Sequence, residues 1–404
     1  MTTSRATAWF VWIIASIFYA YQYILRVMPN IMLGDIMQQF HIDAAIFGQF
    51  SGVYYIGYAL MHLPIGIMLD RQGPKKVMTV CILLTVIGLL PIIFAENWIY
   101  PVMGRALIGV GSSAAILGVF KIVRLTFSEQ RFTRMLGFSV TIGLVGAIYG
   151  GGPVSYMCSV LGYKAVVQIF AILGIILAAI TYFIVPQFES NNTGTVISDI
   201  KTVFANRKVI LLCCFAGLMV GPLEGFADVW GSEFLKQVYG FDIKTANYLP
   251  SMIFIGMCFG APVLSIIAEK TGNYIGSIIG AGVFMLVTFT ALIAKMLTTS
   301  SIIISFILVG VCSAYQILAI YKASTYVPKN VAGLTTAVAN MIIMTFGYVF
   351  HSSIGFVVNA YSGVSQVQSF IYGVGIIPLT LGIGIIGFFS LAYQEKKQLQ
   401  QVDL

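Results

Sequence analysis

From Val77 to Ala95 the chain runs for 19 residues without a charged side chain, and from Ile275 to Ala294 for 20. Each run is close to the ~20 residues that an α-helix needs to cross about 30 Å of hydrocarbon. About twelve such runs follow one another, separated by short polar breaks. Lipid offers backbone polar groups no water, so apolar runs of this length must satisfy their own hydrogen bonds as helices. Only 9% of the residues are charged, where a soluble domain carries roughly 25%. The fold class expected is an all-α membrane protein with twelve transmembrane helices.

The runs place spans at 8–31, 45–68, 77–95, 99–122, 134–160 and 163–185, then at 208–232, 245–268, 274–295, 300–322, 331–360 and 366–392. Residues 1–186 form a first six-helix bundle, 187–207 a linker with a short surface helix after Ser198, and 208–404 a second bundle. The first run is too long for a signal peptide and is kept as a span. With the N-terminus in the cytoplasm, sixteen of the 22 Lys and Arg residues fall inside and four outside, while Arg26 and Arg105 lie within spans. The positive-inside rule therefore sets both termini and the linker in the cytoplasm, in a cytoplasmic (inner) membrane. The Asn191-Asn-Thr193 triplet then lies on the wrong side for glycosylation. The net charge of +8 is spread over these loops, which excludes a nucleic-acid surface.

The halves repeat one another. Gly109-Val-Gly-Ser-Ser-Ala-Ala-Ile-Leu-Gly-Val-Phe-Lys121 lies over Gly310-Val-Cys-Ser-Ala-Tyr-Gln-Ile-Leu-Ala-Ile-Tyr-Lys322. Ile56-Gly57 matches Ile255-Gly256, Asp43 matches Asp242, and Asp70-Arg71-Gln72-Gly73 matches Glu269-Lys270-Thr271-Gly272. Six spans per copy give both copies the same orientation, so the bundles are pseudo-symmetric about an axis along the membrane normal.

Gly66-Ile-Met-Leu-Asp70-Arg71-Gln-Gly73-Pro-Lys75-Lys76, between spans 2 and 3, resembles the signature loop of the major facilitator superfamily. Arg105-Ala-Leu-Ile-Gly109-Val-Gly111 in span 4 resembles that family's Arg-x-x-x-Gly-x-Gly pattern, and the likeness extends over nearly the whole chain. It implies a secondary transporter with a central cavity between bundles, and assigns Asp70, Arg71 and Gly73 to gating. Gly73 suits a tight turn, and Asp70 is expected to accept hydrogen bonds from a neighbouring helix terminus. Arg26 in span 1, with Arg105 and a following lysine in span 4, looks like the organic-anion branch of the family. Leu25 and Ser112 stand where that branch commonly has acids, so its proton-coupling carboxylates do not carry over.

An arginine within a span is costly unless it faces protein or water, which marks Arg26 and Arg105 as candidate substrate-binding residues. Arg26 lies about five residues, roughly 8 Å, from the outer end of its span and Arg105 about six residues from the outer end of span 4, so the two sit at similar depth. Span 7 supplies acids instead: Glu224 and Asp228, four apart, share one helical face next to Gly221-Pro222 and Gly225. With an offset of 199 residues Glu224 aligns with Leu25 and Gly225 with Arg26. This predicts an ion pair across the outer gate, with solvation of Asp228 at the outer interface as the competing arrangement. Lys121 and Lys322, one in each copy of the repeat, either face each other across the inner vestibule or snorkel to the interface.

Candidate lining residues are Tyr19, Gln22 and Tyr23 in span 1, Tyr54, Tyr55 and Tyr58 in span 2, Tyr315 and Gln316 in span 10, and Asn340 in span 11. Trp9, Trp12 and Trp98 are expected in interfacial belts. His41, His62 and His351 stand alone, and the six cysteines have no CxxC spacing or nearby His, so no metal ligands are expected. No phosphate-binding loop is present, and no Ser/His or metal constellation marks an enzyme. The function expected is secondary active transport of a small organic solute, an anion or zwitterion, by a monomer that needs no cofactor and couples to a proton or other ion. Efflux of an amphipathic or cationic compound is the alternative, favoured by the glycines from Gly143 to Gly152 in span 5.

Overall fold

The computed structural model describes residues 5–187, 196–328 and 331–402. The Asn191–Thr193 triplet and Lys329 lie outside the described residues. Eleven helices are long and apolar enough to cross a membrane, and a pair bent by 41° makes a twelfth crossing. The first half comprises α1 (Arg5–Ile31), the short α2 (Leu33–Phe40), α3 (Ala44–Gln72), α4 (Pro74–Phe94), α5 (Ile99–Thr126), α6 (Glu129–Leu161) and α7 (Tyr163–Ile184). Helix α8 (Val196–Ala205) follows and supplies the short helix expected after Ser198.

The second half is more broken. Its first crossing is α9 (Arg207–Leu218), a π-helix (Gly221–Trp230) and α10 (Gly231–Tyr239). The next is α11 (Ile243–Tyr248) with α12 (Ser251–Thr271), followed by α13 (Tyr274–Ile293), α14 (Thr299–Ser313) with α15 (Tyr315–Ser324), α16 (Ala332–Ala360) and α17 (Gln366–Val402). Large apolar side chains such as Phe94, Phe183 and Ile386 are exposed on the periphery, as a lipid-facing surface requires.

The sequence repeat is a repeat of contacts. Asp43 caps α3 by accepting from Ile46 N at 2.8 Å, and its counterpart Asp242 caps α11 by accepting from Thr245 N at 3.1 Å. Gly57 on α3 and Gly109 on α5 each face the other helix's backbone, at Ala106 and Tyr54, so closely that a Cβ on either would collide. Gly256 on α12 and Gly310 on α14 do the same against Ile307 and Ile253. Small residues thus set one helix crossing twice. Gly73 turns α3 into α4 at φ 78°, as the motif predicts, with Pro74 opening the new helix.

One expectation fails at the periphery. Trp12 is buried and donates from Nε1 to Ser139 Oγ at 2.8 Å. Helix α6 packs along α1, so this ring braces a helix pair instead of joining an interfacial belt.

Candidate functional site

The bundles meet where α3 packs on α16, α6 on α11 and α12, and α1 on the π-helix. Gly48 and Gly52 on α3 bring that helix against His351 and Tyr348 of α16, and Gly355 returns the contact at Ala44. Asn247 Nδ2 on α11 donates to Ser155 Oγ on α6 at 2.7 Å. All these residues lie toward the end of the molecule where α1 finishes and α3 begins, here called the α2 end. The ion pairs that Arg26 makes across the bundles and the Asn247–Ser155 bond lie there, while Tyr58 and Asn340 meet across the bundles nearer mid-depth. The opposite, loop end carries Asp70, Arg71 and Lys121.

At the centre of the α2 end, Arg26 joins the halves. Its Nε donates to Asp228 Oδ2 at 2.6 Å and its Nη2 to Glu224 Oε2. Tyr55 on α3 places its hydroxyl against both carboxylates, Glu224 Oε2 and Asp228 Oδ2. The guanidinium also lies 5.1 Å from the Tyr23 ring and 5.2 Å from that of Tyr55. Glu224 and Asp228 are 1% and 0% exposed, so Asp228 is not solvated at an interface. The helix continues through α10 to Tyr239, past the span end expected at 232.

The local sequence makes this geometry. Pro222 has no N–H to continue the bonding of α9, and the chain restarts as a π-helix, with Gly231 N bonding to Phe226 O five residues back. In that wider turn residues four apart come nearly into line, which presents both carboxylates to one arginine. His351 Nε2 on α16 lies 2.5 Å from Glu224 O, and Trp230 Nε1 donates to His351 O at 3.2 Å. These bonds tie the π-helix to α16 within the second bundle.

Arg105, expected to bind substrate, holds backbone carbonyls in this arrangement. Its Nη1 and Nη2 donate to the backbone carbonyls of Leu25 at 2.5 Å and Arg26 at 2.8 Å, and its guanidinium lies 4.9 Å from the Tyr54 ring. Pro29 lies four residues beyond Leu25 inside α1, so the Leu25 carbonyl has no helical donor. Arg105 fills that gap and fixes the backbone of Arg26. Arg26 is thus engaged by the two carboxylates, whereas Arg105 keeps its Nε buried without a partner.

The lining candidates divide. Tyr54 donates to Gln22 Oε1 at 2.7 Å, and Tyr54 and Tyr58 stack at 6.1 Å, with His62 a further 5.2 Å from Tyr58. This aromatic ladder runs down α3 from the arginines toward the loop end. Ser112 Oγ, His62 Nδ1 and Gln316 Nε2 are buried without a partner. Tyr23 lies at the Arg26 cluster, and Asn340 on α16 is half-buried. Tyr315 departs from the lining role, because its hydroxyl donates to Ala216 O at 2.6 Å and braces α9.

The repeated lysines are paired, and not with each other. Lys121 Nζ lies 2.7 Å from Asp70 Oδ1, so Asp70 takes an ammonium where a helix terminus was expected. Lys322 Nζ lies 2.9 Å from Glu395 Oε1 on α17. Tyr326 donates to the same Glu395 oxygen at 2.6 Å, and burial followed by that carboxylate pushes its phenol up, keeping it a donor. Side chains of this exposure make pairs worth roughly 0–1 kcal/mol. Lys121→Gln and Lys322→Gln are accordingly expected to change the transport KM by no more than about twofold. A rise of tenfold in KM, measured by initial-rate flux, would mean that the ammonium groups meet the solute.

A sequence profile described as the Major Facilitator Superfamily matches residues 11–352. The chain is 19% identical over 350 residues to the nitrite extrusion protein of Bacillus subtilis, covering 80% of each. It is 21% identical over 253 residues to the probable L-galactonate transporter of Escherichia coli, covering 56% of this chain and 53% of that protein. In fold it is similar to a bacterial homologue of the human lysosomal transporter Spinster, crystallised inward-facing and unoccupied. The TM-score is 0.76 at 16% identity, over 96% of this chain and 98% of that one. The nucleoside transporter NupG gives a TM-score of 0.77 at 15% identity, over 94% of this chain and 99% of that one.

Proposed function

Because the chain belongs to the major facilitator superfamily, and so is a multi-pass membrane transporter of small solutes and not an enzyme, we propose that it carries a small organic anion or zwitterion by alternating access. The observation that carries this reading is the Arg26 junction with Glu224 and Asp228, which joins the bundles by ion pairs at the α2 end. The excess of Lys and Arg on one set of loops supports a cytoplasmic N-terminus in the cytoplasmic membrane. The α2 end is then the outside, and the conformation faces inward with its outer gate shut. Bundle rocking that parts α1 from the π-helix opens the outside and frees Arg26 from its carboxylates.

An arginine that must exchange partners during the cycle supports an anionic solute. So do the relatives whose names attach them to nitrite and L-galactonate, both anions. Glu224 and Asp228, released at the same moment, provide the acids for proton coupling. The glycines offered for efflux have another use: Gly143, Gly146 and Gly150 seat α6 against Tyr19, Ala20 and Ile24 of α1.

A thermal-stability screen of the purified protein against organic acids, amino acids and amphipathic cations tests the reading. An organic acid at about 100 times its Kd is expected to add about 2.7 kcal/mol of stability. In proteoliposomes that acid should then move faster with an imposed pH gradient than without one, and the direction of net flux separates uptake from extrusion. Stabilisation by cations alone would overturn the anion reading.

A further inference from the structure

We propose that Glu224 and Asp228 together hold one proton while the α2 end is closed, with the Tyr55 hydroxyl as the bridge between them. This deepens the transport reading by locating a site for the coupling ion, and it rests on that reading only for what the proton does.

The inference follows from hydrogen-bond inventory. Tyr55 Oη touches Glu224 Oε2 and Asp228 Oδ2, yet a phenol has a single hydrogen to donate. An ionised carboxylate accepts and never donates. With both acids ionised, one of these contacts would set oxygen lone pairs against each other in a fully buried site. With one proton on the pair, Oη donates to the ionised carboxylate and accepts from the protonated one, and both contacts become hydrogen bonds. Two further observations agree. Asp228 Oδ1 is buried without a partner, which is far more costly for an ionised carboxylate than for a neutral acid. Among the described residues Arg26 alone pairs with the two acids, so one negative charge on the pair matches it.

The other groups packed on the site do not take that proton's place. From α1 come Arg26 and Tyr23, and from α5 comes Arg105, whose Nη groups are spent on the Leu25 and Arg26 carbonyls. From α15 comes Tyr315, bonded to Ala216 O. From α16 comes His351, whose Nε2 must carry the hydrogen because Glu224 O only accepts. Its Nδ1 is bare and unpartnered, and a proton there would set an uncompensated cation beside Arg26. Proton uptake thus changes the charge of the acid pair from −2 to −1 and completes the Tyr55 bridge, and opening the gate separates the three groups and returns the proton.

Infrared spectroscopy of the purified, solute-free protein at neutral pH in D2O reads the carbonyl stretch of a protonated carboxylic acid directly. One buried-acid band is expected in the wild type and in Asp70→Asn. It should vanish in Glu224→Gln and equally in Asp228→Asn, because the single remaining carboxylate is ionised against Arg26. Absence of the band from the wild type overturns the proposal, and so does its loss from only one of the two amide variants or its survival in both. Tyr55→Phe keeps the ring and serves if either amide variant unfolds on a thermal melt. Its band should titrate at least one pH unit lower than that of the wild type, and an unchanged midpoint would remove the bridge. The spectrum needs neither solute nor gradient, so a protein that shows the band but moves no solute would contradict the transport reading while leaving the proton site standing.

Discussion

Reversing the charge at Arg26 or at Glu224 alone is expected to lower transport by roughly 10²- to 4 × 10³-fold, and reversing both together to restore at least a tenfold share. Breaking a buried ion pair from one side costs roughly 3–5 kcal/mol because the partner is left charged and unpaired. At 1.4 kcal/mol per factor of ten, that is the range stated. Arg26→Glu sets three acids together under Tyr55, whereas Glu224→Arg leaves two guanidiniums to share Asp228. The exchanged double variant has one guanidinium and two carboxylates again, the same inventory as the wild type. The two residues come from different bundles and touch directly, so their effects are expected to be strongly non-additive. A double variant no better than either single would show that the junction does not operate as a pair.

The Arg26–Glu224 pair was legible because the repeat converts sequence offset into depth. Leu25 aligns with Glu224 and Arg26 with Gly225, and equal depth in facing bundles brings opposite charges within reach. The helical crossings were legible for the same kind of reason: apolar length decides a span, and the matched residues Asp43 and Asp242 do equivalent capping in the fold. Asp228 was harder to place. Counting residues from an assumed span end cannot foresee a π-helix followed by α10, and these keep it 0% exposed.

Arg105 shows a signal that was present and unread. A proline inside a helix orphans the carbonyl four residues earlier, so Pro29 marks Leu25 as a carbonyl in need of a donor. An arginine at similar depth in a neighbouring span is a natural supplier. No such rule pairs Lys322 with Glu395 or picks Tyr55 from the many tyrosines. Those contacts depend on how α15 meets α17 and how α3 meets the π-helix, which composition and periodicity leave open. His351 had the signature of a packed histidine, and it is buried, but the carbonyl it meets belongs to Glu224.

Alternating access requires the α2 end to open, and Ser155 with Asn247 offers a place to prevent it. The two side chains meet across the bundles at 2.7 Å, one on α6 and one on α11, away from the Arg26 cluster and its carboxylates. Ser155→Cys with Asn247→Cys is made in a background lacking Cys81, Cys158, Cys213, Cys214, Cys258 and Cys312, all of which are free. A disulfide holds its Cα atoms within roughly 4.4–6.8 Å, which no rocking motion that parts α6 from α11 permits. Flux of the solute identified by stability screening is measured in proteoliposomes before oxidation, after it, and after reduction. The expected result is near-complete loss of flux in the fraction that cross-links and full return with reductant. Cross-linked protein that transports at the rate of its reduced form would contradict the claim that this junction is a gate.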